Sequence, residues 1–365
     1  MKKNILALLL VVFPICLTAQ KSEIKFLDEL SKEPIIGLQI FSENGSFISN
    51  TNAKGLVVFD VEILKQGGVK SIIAYNTEYV SSEYKVSEIP AIIYLKKNET
   101  IQLDDVTVTA TNLSEYFTVK AYFRSWKLKD GALIKYGDGL VNYHVPYAEA
   151  KDNFNNDVKS YFCTYRTFNA ESVKQKSRVI SISFADDYLN VSRIPQNDGL
   201  KNRPNFKVAL VNESFGTISE DGNEVGYVTF DKNNNATEII TKREFDEETS
   251  KKILFWKISG KSTVIEKWTG EGSTRHPTYL FSNSKKAIKV KGEYNYIETV
   301  TEIFIDNTII DGALKAENSK KYIDQDRSYY KANFWEDLLK KHSLPSEIKA
   351  QLTTVNENKN TFKSD

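Results

Sequence analysis

Phe117-Thr118-Val119-Lys120-Ala121-Tyr122-Phe123-Arg124 carries an apolar residue at each odd position and a polar or amphipathic one at each even position. Successive side chains of an extended chain point to opposite faces, so a period of two predicts a β-strand with one buried face. The same reading extends outward to Ser160–Phe168, Arg178–Phe184, Phe206–Val211, Val225–Phe230, Ile253–Ser259, Val264–Trp268 and Glu298–Ile305. Asp130-Gly131, Asp138-Gly139 and Asp221-Gly222 lie among these runs and read as tight turns, because Asp and Gly accept the positive φ that such turns need. Residues 190–204, with Pro195, Asn197-Asp198-Gly199 and Pro204, read as an internal loop. A meandering antiparallel sheet is expected over about 115–330.

Near the C-terminus the period changes. Phe334, Trp335, Leu338, Leu339 and His342 recur at helical spacing, and Ser343-Leu344-Pro345 ends the run. A second helix is expected from Pro345, with Ile348 and Leu352 on one face. Both helices would seal an edge or an open face of the sheet, so the second domain is expected to span 115–353. Residues 356–365 are polar and are expected to be a disordered tail.

Toward the N-terminus, residues 21–110 read as short strands between turns. Ile36, Leu38 and Ile40 alternate with Gly37 and Gln39, Asn44-Gly45 turns the chain, and Leu56-Val57-Val58-Phe59 resumes it. Ser71–Tyr75, Ala91–Leu95 and Val106–Ala110 continue the series. Two small stacked sheets are the natural closure for so many short strands.

The same segment resembles the carboxypeptidase regulatory-like domain. Glu33-Pro34-Ile35-Ile36-Gly37-Leu38-Gln39-Ile40 is similar to its first strand, and Thr51-Asn52-Ala53-Lys54-Gly55-Leu56-Val57-Val58-Phe59 to its Thr…Gly turn and following strand. Ala74-Tyr75-Asn76-Thr77-Glu78-Tyr79 and Ile101-Gln102-Leu103-Asp104-Asp105-Val106-Thr107-Val108-Thr109-Ala110 are similar to its later elements. Lys25-Phe26-Leu27-Asp28 lacks the glycine of the family's opening, and Glu78 stands where the family has glycine. The resemblance implies an immunoglobulin-like or transthyretin-like β-sandwich in a secreted or outer-membrane protein, and it implies no catalysis. The fold class expected for the whole chain is therefore mainly β: that sandwich, then a larger antiparallel β-sheet domain with C-terminal helices.

Residues 1–19 of MKKNILALLLVVFPICLTAQ have the plan of a cleavable secretory signal: Lys2 and Lys3, an apolar stretch from Ile5 to Cys16, and Ala19 at the expected cut. The stretch is shorter than the ~20 apolar residues that span a bilayer. Removing Lys2 and Lys3 takes the 49 Lys and Arg to 47 against 48 Asp and Glu, a net charge of −1. A near-neutral chain without a basic run argues against a nucleic-acid partner. Cys163 becomes the one remaining thiol, which excludes an intramolecular disulfide. The expectation is an exported protein with no transmembrane helix after cleavage, in the periplasm or peripheral to the outer membrane of a Gram-negative bacterium.

The search for chemistry yields no catalytic, cofactor or metal residue. His144, His276 and His342 are followed three residues on by Tyr147, Tyr279 and Pro345, so no His-x-x-Glu zinc pair exists. Cys163 sits in the strand-like Tyr161-Phe162-Cys163-Thr164-Tyr165, where a lone cysteine reads as a small buried hydrophobe. Asp231-Lys232-Asn233-Asn234-Asn235 opens like a calcium loop, but Ala236 and Lys242 stand where glycine and glutamate are required, so a turn is expected. Asp186 and Asp187 are adjacent on a strand and point to opposite faces.

Aromatic residues are the remaining feature. Tyr122, Trp126, Tyr136, Tyr143, Trp256 and Trp268 read either as cross-strand packing pairs or as the lining of a groove for a lipid, peptide or sugar ligand. The function expected is that of a non-enzymatic exported envelope protein, a binding or adaptor module for an envelope protein partner or an apolar ligand. The alternatives are a small outer-membrane β-barrel and a hydrolase with a non-local active site.

Overall fold

A computed structural model describes residues 21–98, 115–147, 158–170, 188–195, 200, 205–245, 251–253, 256–290, 292–314, 319–325, 327–330 and 333–358. The signal segment and the expected strands Val106–Ala110 and Arg178–Phe184 lie outside the described residues, as do Asp186, Asp187, Asn197-Asp198-Gly199 and Pro204. The chain divides into two units, residues 1–101 with 343–349, and residues 102–342 with 350–365.

The first unit contains β1 (Lys21–Asp28), β2 (Gln39–Ser42), β3 (Phe47–Asn50), β4 (Leu56–Asp60), a short helix α1 (Val61–Gln66), β5 (Ser71–Asn76), β6 (Tyr79–Lys85) and β7 (Ile92–Leu95). They form two sheets, β4-β1-β7 and β3-β2-β5-β6. Ile24, Phe26, Val57, Phe59, Ile93 and Leu95 of the first sheet share one core with Ile40, Ile72 and Ala74 of the second. The β1–β7 pair is parallel, so this sandwich is not wholly antiparallel. Thr51 ties the segment before β2 to the end of β3: its hydroxyl donates to the Ile35 carbonyl at 2.6 Å and accepts the Leu38 N–H at 2.9 Å. Gly55 has φ +69°, and a Cβ there would lie 2.6 Å from the Phe26 carbonyl oxygen, so glycine is required. Asp60 caps α1 by accepting the N–H groups of Glu62 and Ile63.

The second unit is built on β8 (Tyr116–Lys129), β9 (Ala132–Pro146), β10 (Lys159–Asn169), β11 (Phe206–Asn212), β12 (Phe215–Glu220), β13 (Asn223–Phe230), β14 (Ala236–Phe245), β15 (Lys251–Ile253), β16 (Trp256–Thr269), β17 (His276–Val290) and β18 (Glu293–Asp311). One antiparallel sheet runs β10-β9-β8-β18-β17-β16-β14-β13-β12-β11, with β15 beside β16. It is mainly a meander, except that β18 returns to pair with β8. The terminal strands β10 and β11 are not paired with each other, so no sheet closes into a barrel among the described residues. Among those residues no helix is long and apolar enough to cross a membrane. Helix α2 (Trp335–Lys341) ends this stretch, and α3 (Ser346–Asn358) begins in residues that count with the first unit and continues in residues that count with the second; Ile348 and Leu352 of α3 are both buried.

Several expectations change. The chain turns at Asp130-Gly131 and Asp221-Gly222, all four at positive φ, but Asp138-Gly139 lies in the middle of β9. There Gly139 answers a packing need: a Cβ would lie 2.5 Å from the Thr164 carbonyl oxygen and 2.7 Å from the Phe123 ring. Both faces of β8 are buried, because Tyr122, Arg124 and Trp126 are covered as fully as Phe117, Val119 and Phe123. Ile253 belongs to β15, whereas the two runs around Ser259 and Val264 form one continuous β16. The expected tail begins too early, since α3 reaches Asn358; residues 359–365 lie outside the described ones.

The odd-numbered face of β8 carries the main core. Phe117, Val119, Ala121 and Phe123 pack with Val141, Tyr143, Val145, Ile303 and Ile305, and with Val191 and Ile194 from residues 188–195. A second cluster of Ile218, Val228, Ala236, Ile239 and Trp268 serves the β12–β16 end.

Candidate functional site

On the even-numbered face of β8 four charged residues stand side by side. In register, Arg166 of β10 faces Asp138 of β9, Asp138 faces Arg124 of β8, and Arg124 faces Glu302 of β18. Charge alternates along this row and all four side chains are buried. Burying a charge is costly unless it is paired and hydrogen-bonded.

The pairing is close. Arg166 donates from Nε to Oδ1 and from Nη2 to Oδ2 of Asp138, each at 2.6 Å. Tyr136 and Tyr122 donate their hydroxyls to the same Oδ2 at 2.9 and 3.3 Å. Arg124 donates from Nε to Oε2 of Glu302 at 2.5 Å, and Tyr279 fills Oε1 at 2.7 Å. Burial and the neighbouring Asp138 carboxylate hold the Tyr122 and Tyr136 hydroxyls far above the ordinary phenol range, so both serve as permanent donors.

Helix α2 and the residue after it cover this row. The Arg166 guanidinium lies 4.1 Å from the Trp335 ring centroid, and Arg124 donates from Nη1 to the His342 carbonyl at 2.6 Å. The His342 ring stacks on Phe304 with centroids 3.9 Å apart and on Tyr122 at 6.1 Å. Burial first, then Arg124 and Lys341, push the His342 imidazole down to about 3, so it is neutral at neutral pH. Chemically the arrangement is a clamp: its acceptors are filled, its phenols stay protonated and its histidine stays neutral.

The six aromatic groove candidates divide accordingly. Tyr122, Trp126 and Tyr136 gather around the charged row, Arg124 lying 5.9 Å from the Trp126 ring centroid. Tyr143 is on the opposite face and donates its hydroxyl to the Val191 carbonyl at 2.5 Å. Trp268 belongs to the β12–β16 cluster and donates from Nε1 to Glu266 at 3.2 Å. These five rings are buried; the Trp256 side chain lies outside those described. Sequence reasoning missed Arg124, Asp138, Arg166 and Glu302. The available signal was a charge between apolar or aromatic residues on one strand face, as Arg124 stands between Tyr122 and Trp126.

The three histidines occupy separate places. His144 Nε2 lies 3.1 Å from the Leu314 carbonyl, and His276 Nδ1 lies 2.8 Å from the Thr274 carbonyl, with burial lowering the His276 imidazole. Cys163 is half-buried where the β9–β10 register shifts, its Sγ is 3.6 Å from the Tyr161 carbonyl, and burial pushes the thiol up. Among the described residues no cluster of His, Cys, Asp and Glu is placed to hold a metal ion. Asp231 forms a turn, accepting the N–H groups of Asn233 and Asn235, with Asn234 at φ 60°.

The opposite edge of the sheet is different in character. β11 is bonded to β12 alone among the described strands, and every residue from Lys207 to Asn212 is exposed. Leu210 and Val211 are each 63% exposed.

Neither a family model nor a curated protein matches the chain. A solved structure described as "Lipid-protein interactions in lipovitellin" is similar with a TM-score of 0.29 and 8% identity over 57% of this chain. The chain spans 27% of the length of that structure, and a likeness this weak carries no argument for fold or function.

Proposed function

We propose that the chain is a non-enzymatic exported envelope protein, a binding or adaptor module whose partner is a protein that adds a strand to β11. The observation that supports this is the β11 edge. A sheet edge presents a row of backbone donors and acceptors, and soluble proteins ordinarily blunt such edges with charge, proline or a covering segment. From Val208 to Val211 this edge carries neither charge nor proline, and its apolar side chains are exposed. Strand addition uses such an edge, with main-chain hydrogen bonds supplying affinity and alternate side chains supplying specificity. The regulatory-like sandwich proposed for the first unit suits an appended binding module, and the charged row suits a structural clamp better than a reacting centre.

A photo-cross-linking residue placed at Leu210 in growing cells tests this reading. One envelope protein should be captured, and capture should be lost when Val208→Lys is added beside it. Capture unchanged by that charge, or turnover of peptide, ester or glycoside substrates by the purified chain, would remove the reading.

A further inference from the structure

The apolar cluster of β12–β16 runs up to the edge of the sheet and stops there unfinished. Ile218 is fully buried and stands opposite Val208, which is 38% exposed, while the buried Gly216 stands opposite Leu210. Directly opposed residues share a face, so Phe206, Val208 and Leu210 continue the face of that cluster, and Lys207 and Ala209 lie on the other.

The side chains of this edge are held in place. A Cβ at Gly216 would lie 3.0 Å from Val208 Cγ1 and 3.5 Å from Leu210 Cδ2, so both side chains rest over the space that the glycine leaves. The Arg243 guanidinium lies 5.5 Å from the Phe206 ring centroid and is itself joined to Glu220 by hydrogen bonds of 2.9 and 2.7 Å. Positioned side chains lose little freedom on binding. Past Leu210 the register with β12 shifts, so the regular part of the edge is Phe206–Leu210.

This stretch is complementary to itself. Set antiparallel to a second β11 about a twofold axis through Val208, Phe206 falls opposite Leu210 and Lys207 opposite Ala209, each pair occurring twice. A β-branched pair and two aromatic–aliphatic pairs then lie on the cluster face, and the one charged side chain of the strand meets alanine. Centring the axis on Lys207 would oppose two lysines, and centring it on Ala209 would draw Val211, at the register shift, into the pairing. We propose that the strand added to β11 is β11 of a second copy of this chain, in a twofold dimer whose two sheets run on as one. A second copy brings the same unfinished apolar face and the same row of backbone groups, so one contact covers both edges. The proposal rests on the strand-addition reading of β11 and adds a consequence to it: an envelope partner must displace the second copy.

Sedimentation velocity of the purified chain tests it. The chain should pass from monomer to dimer as its concentration rises through the micromolar range, because so short a pairing makes a small interface. Val208→Lys and Val208→Asp, each alone, should raise the dimer Kd at least about tenfold, since like charges then face each other across the axis and apolar contact is lost. Mixed in equal amounts, the two variants should dimerise again, a recovery that requires position 208 of one copy to lie against position 208 of the other. Each variant is compared at an unchanged melting temperature, and a photo-cross-linking residue at Leu210 in the otherwise unaltered chain should link two copies at Phe206. A chain still monomeric at a concentration on the order of 100 μM would overturn the proposal. So would a dimer that either charge leaves intact, or a mixture no better than its parts. A monomeric purified chain together with capture of an unlike envelope protein at Leu210 in cells would reject the second copy and keep strand addition. Absence of any capture at Leu210, in cells and in the purified chain, would reject both.

Discussion

Arg166 meets Asp138 through two parallel hydrogen bonds, both 2.6 Å, between strands that are direct neighbours and with both side chains buried. A planar guanidinium and a carboxylate match in this fork geometry, which adds direction to the attraction of opposite charges. The Trp335 ring covers the open face of the same guanidinium, so one arginine joins the sheet to α2.

Removing one member of this pair should cost far more than removing both. Asp138→Ala leaves the Arg166 cation and two tyrosine hydroxyls buried without their acceptor, and a broken buried pair costs about 3–5 kcal/mol. Asp138→Leu combined with Arg166→Met should recover much of that loss, because two apolar residues of similar volume need no partners. Urea unfolding of the two variants measures the difference. Equal destabilisation by both would show that the pair's charge is not what matters.

Acid should loosen the cover over this row. The folded imidazole of His342 sits at about 3 against an ordinary 6.5, so the folded chain resists a proton that the unfolded chain accepts. The corresponding stability is present above about 6.5 and is lost as pH falls toward about 3, at up to ~1.4 kcal/mol per pH unit. The groups facing the ring are Arg124 and Lys341, both cationic, and the neutral Tyr122, while Glu302 is held by Arg124. His342→Phe keeps the stack on Phe304 and removes the titration. Between pH 6.5 and 4 the variant should therefore lose less stability than the parent, and parallel pH curves would contradict the assignment.

The fold class was legible because its cause is local. The alternation from Phe117 to Phe123 and the turns at Asp130-Gly131 and Asp221-Gly222 depend on residues next to one another, and they appear as β8, the β8–β9 turn and the β12–β13 turn. Asp138-Gly139 has the same composition but a different cause. Asp138 is fixed by Arg166, 28 positions away, and Gly139 by Thr164, Phe123 and Tyr165, contacts that exist only once three strands have paired. The charged row was hidden for the same reason. Arg124 and Glu302 are 178 positions apart and meet because β18 returns to β8, a connection no local period encodes. The buried aromatics were visible as residues, but whether a ring lines a groove or fills a core depends on what covers it.

Two glycines of β9 should separate by what stands over them. At Gly139 an added Cβ meets the Thr164 carbonyl at 2.5 Å, and backbone within a paired strand yields little. At Gly137 it meets Leu189 Cδ2 at 2.8 Å, the mobile end of a side chain. Gly139→Ala should therefore cost about 1–3 kcal/mol, the range for overpacking a well-filled site, and Gly137→Ala markedly less. Thermal unfolding of the two single variants gives the order directly, and a reversed order would be inconsistent with the packing described.

The last test concerns whether α2 is a cover held from both ends. Trp335 rests on Arg166 at its start, and just past its end His342 is held through its carbonyl by Arg124 and through its ring by Phe304. The helix itself has only seven residues, too few to be stable alone, so its order depends on tertiary attachments such as these two. Trp335→Ala removes one of them and should cost about 1–2 kcal/mol, the range for a cation over a shielded ring together with lost apolar contact. The more telling readout is local. Amide exchange across residues 336–342 should accelerate at least about tenfold while the β8 and β9 amides keep their rates, because local opening needs less energy than global unfolding. If protection in α2 and in the strands falls in equal measure, the helix is part of the cooperative core and not a cover over it.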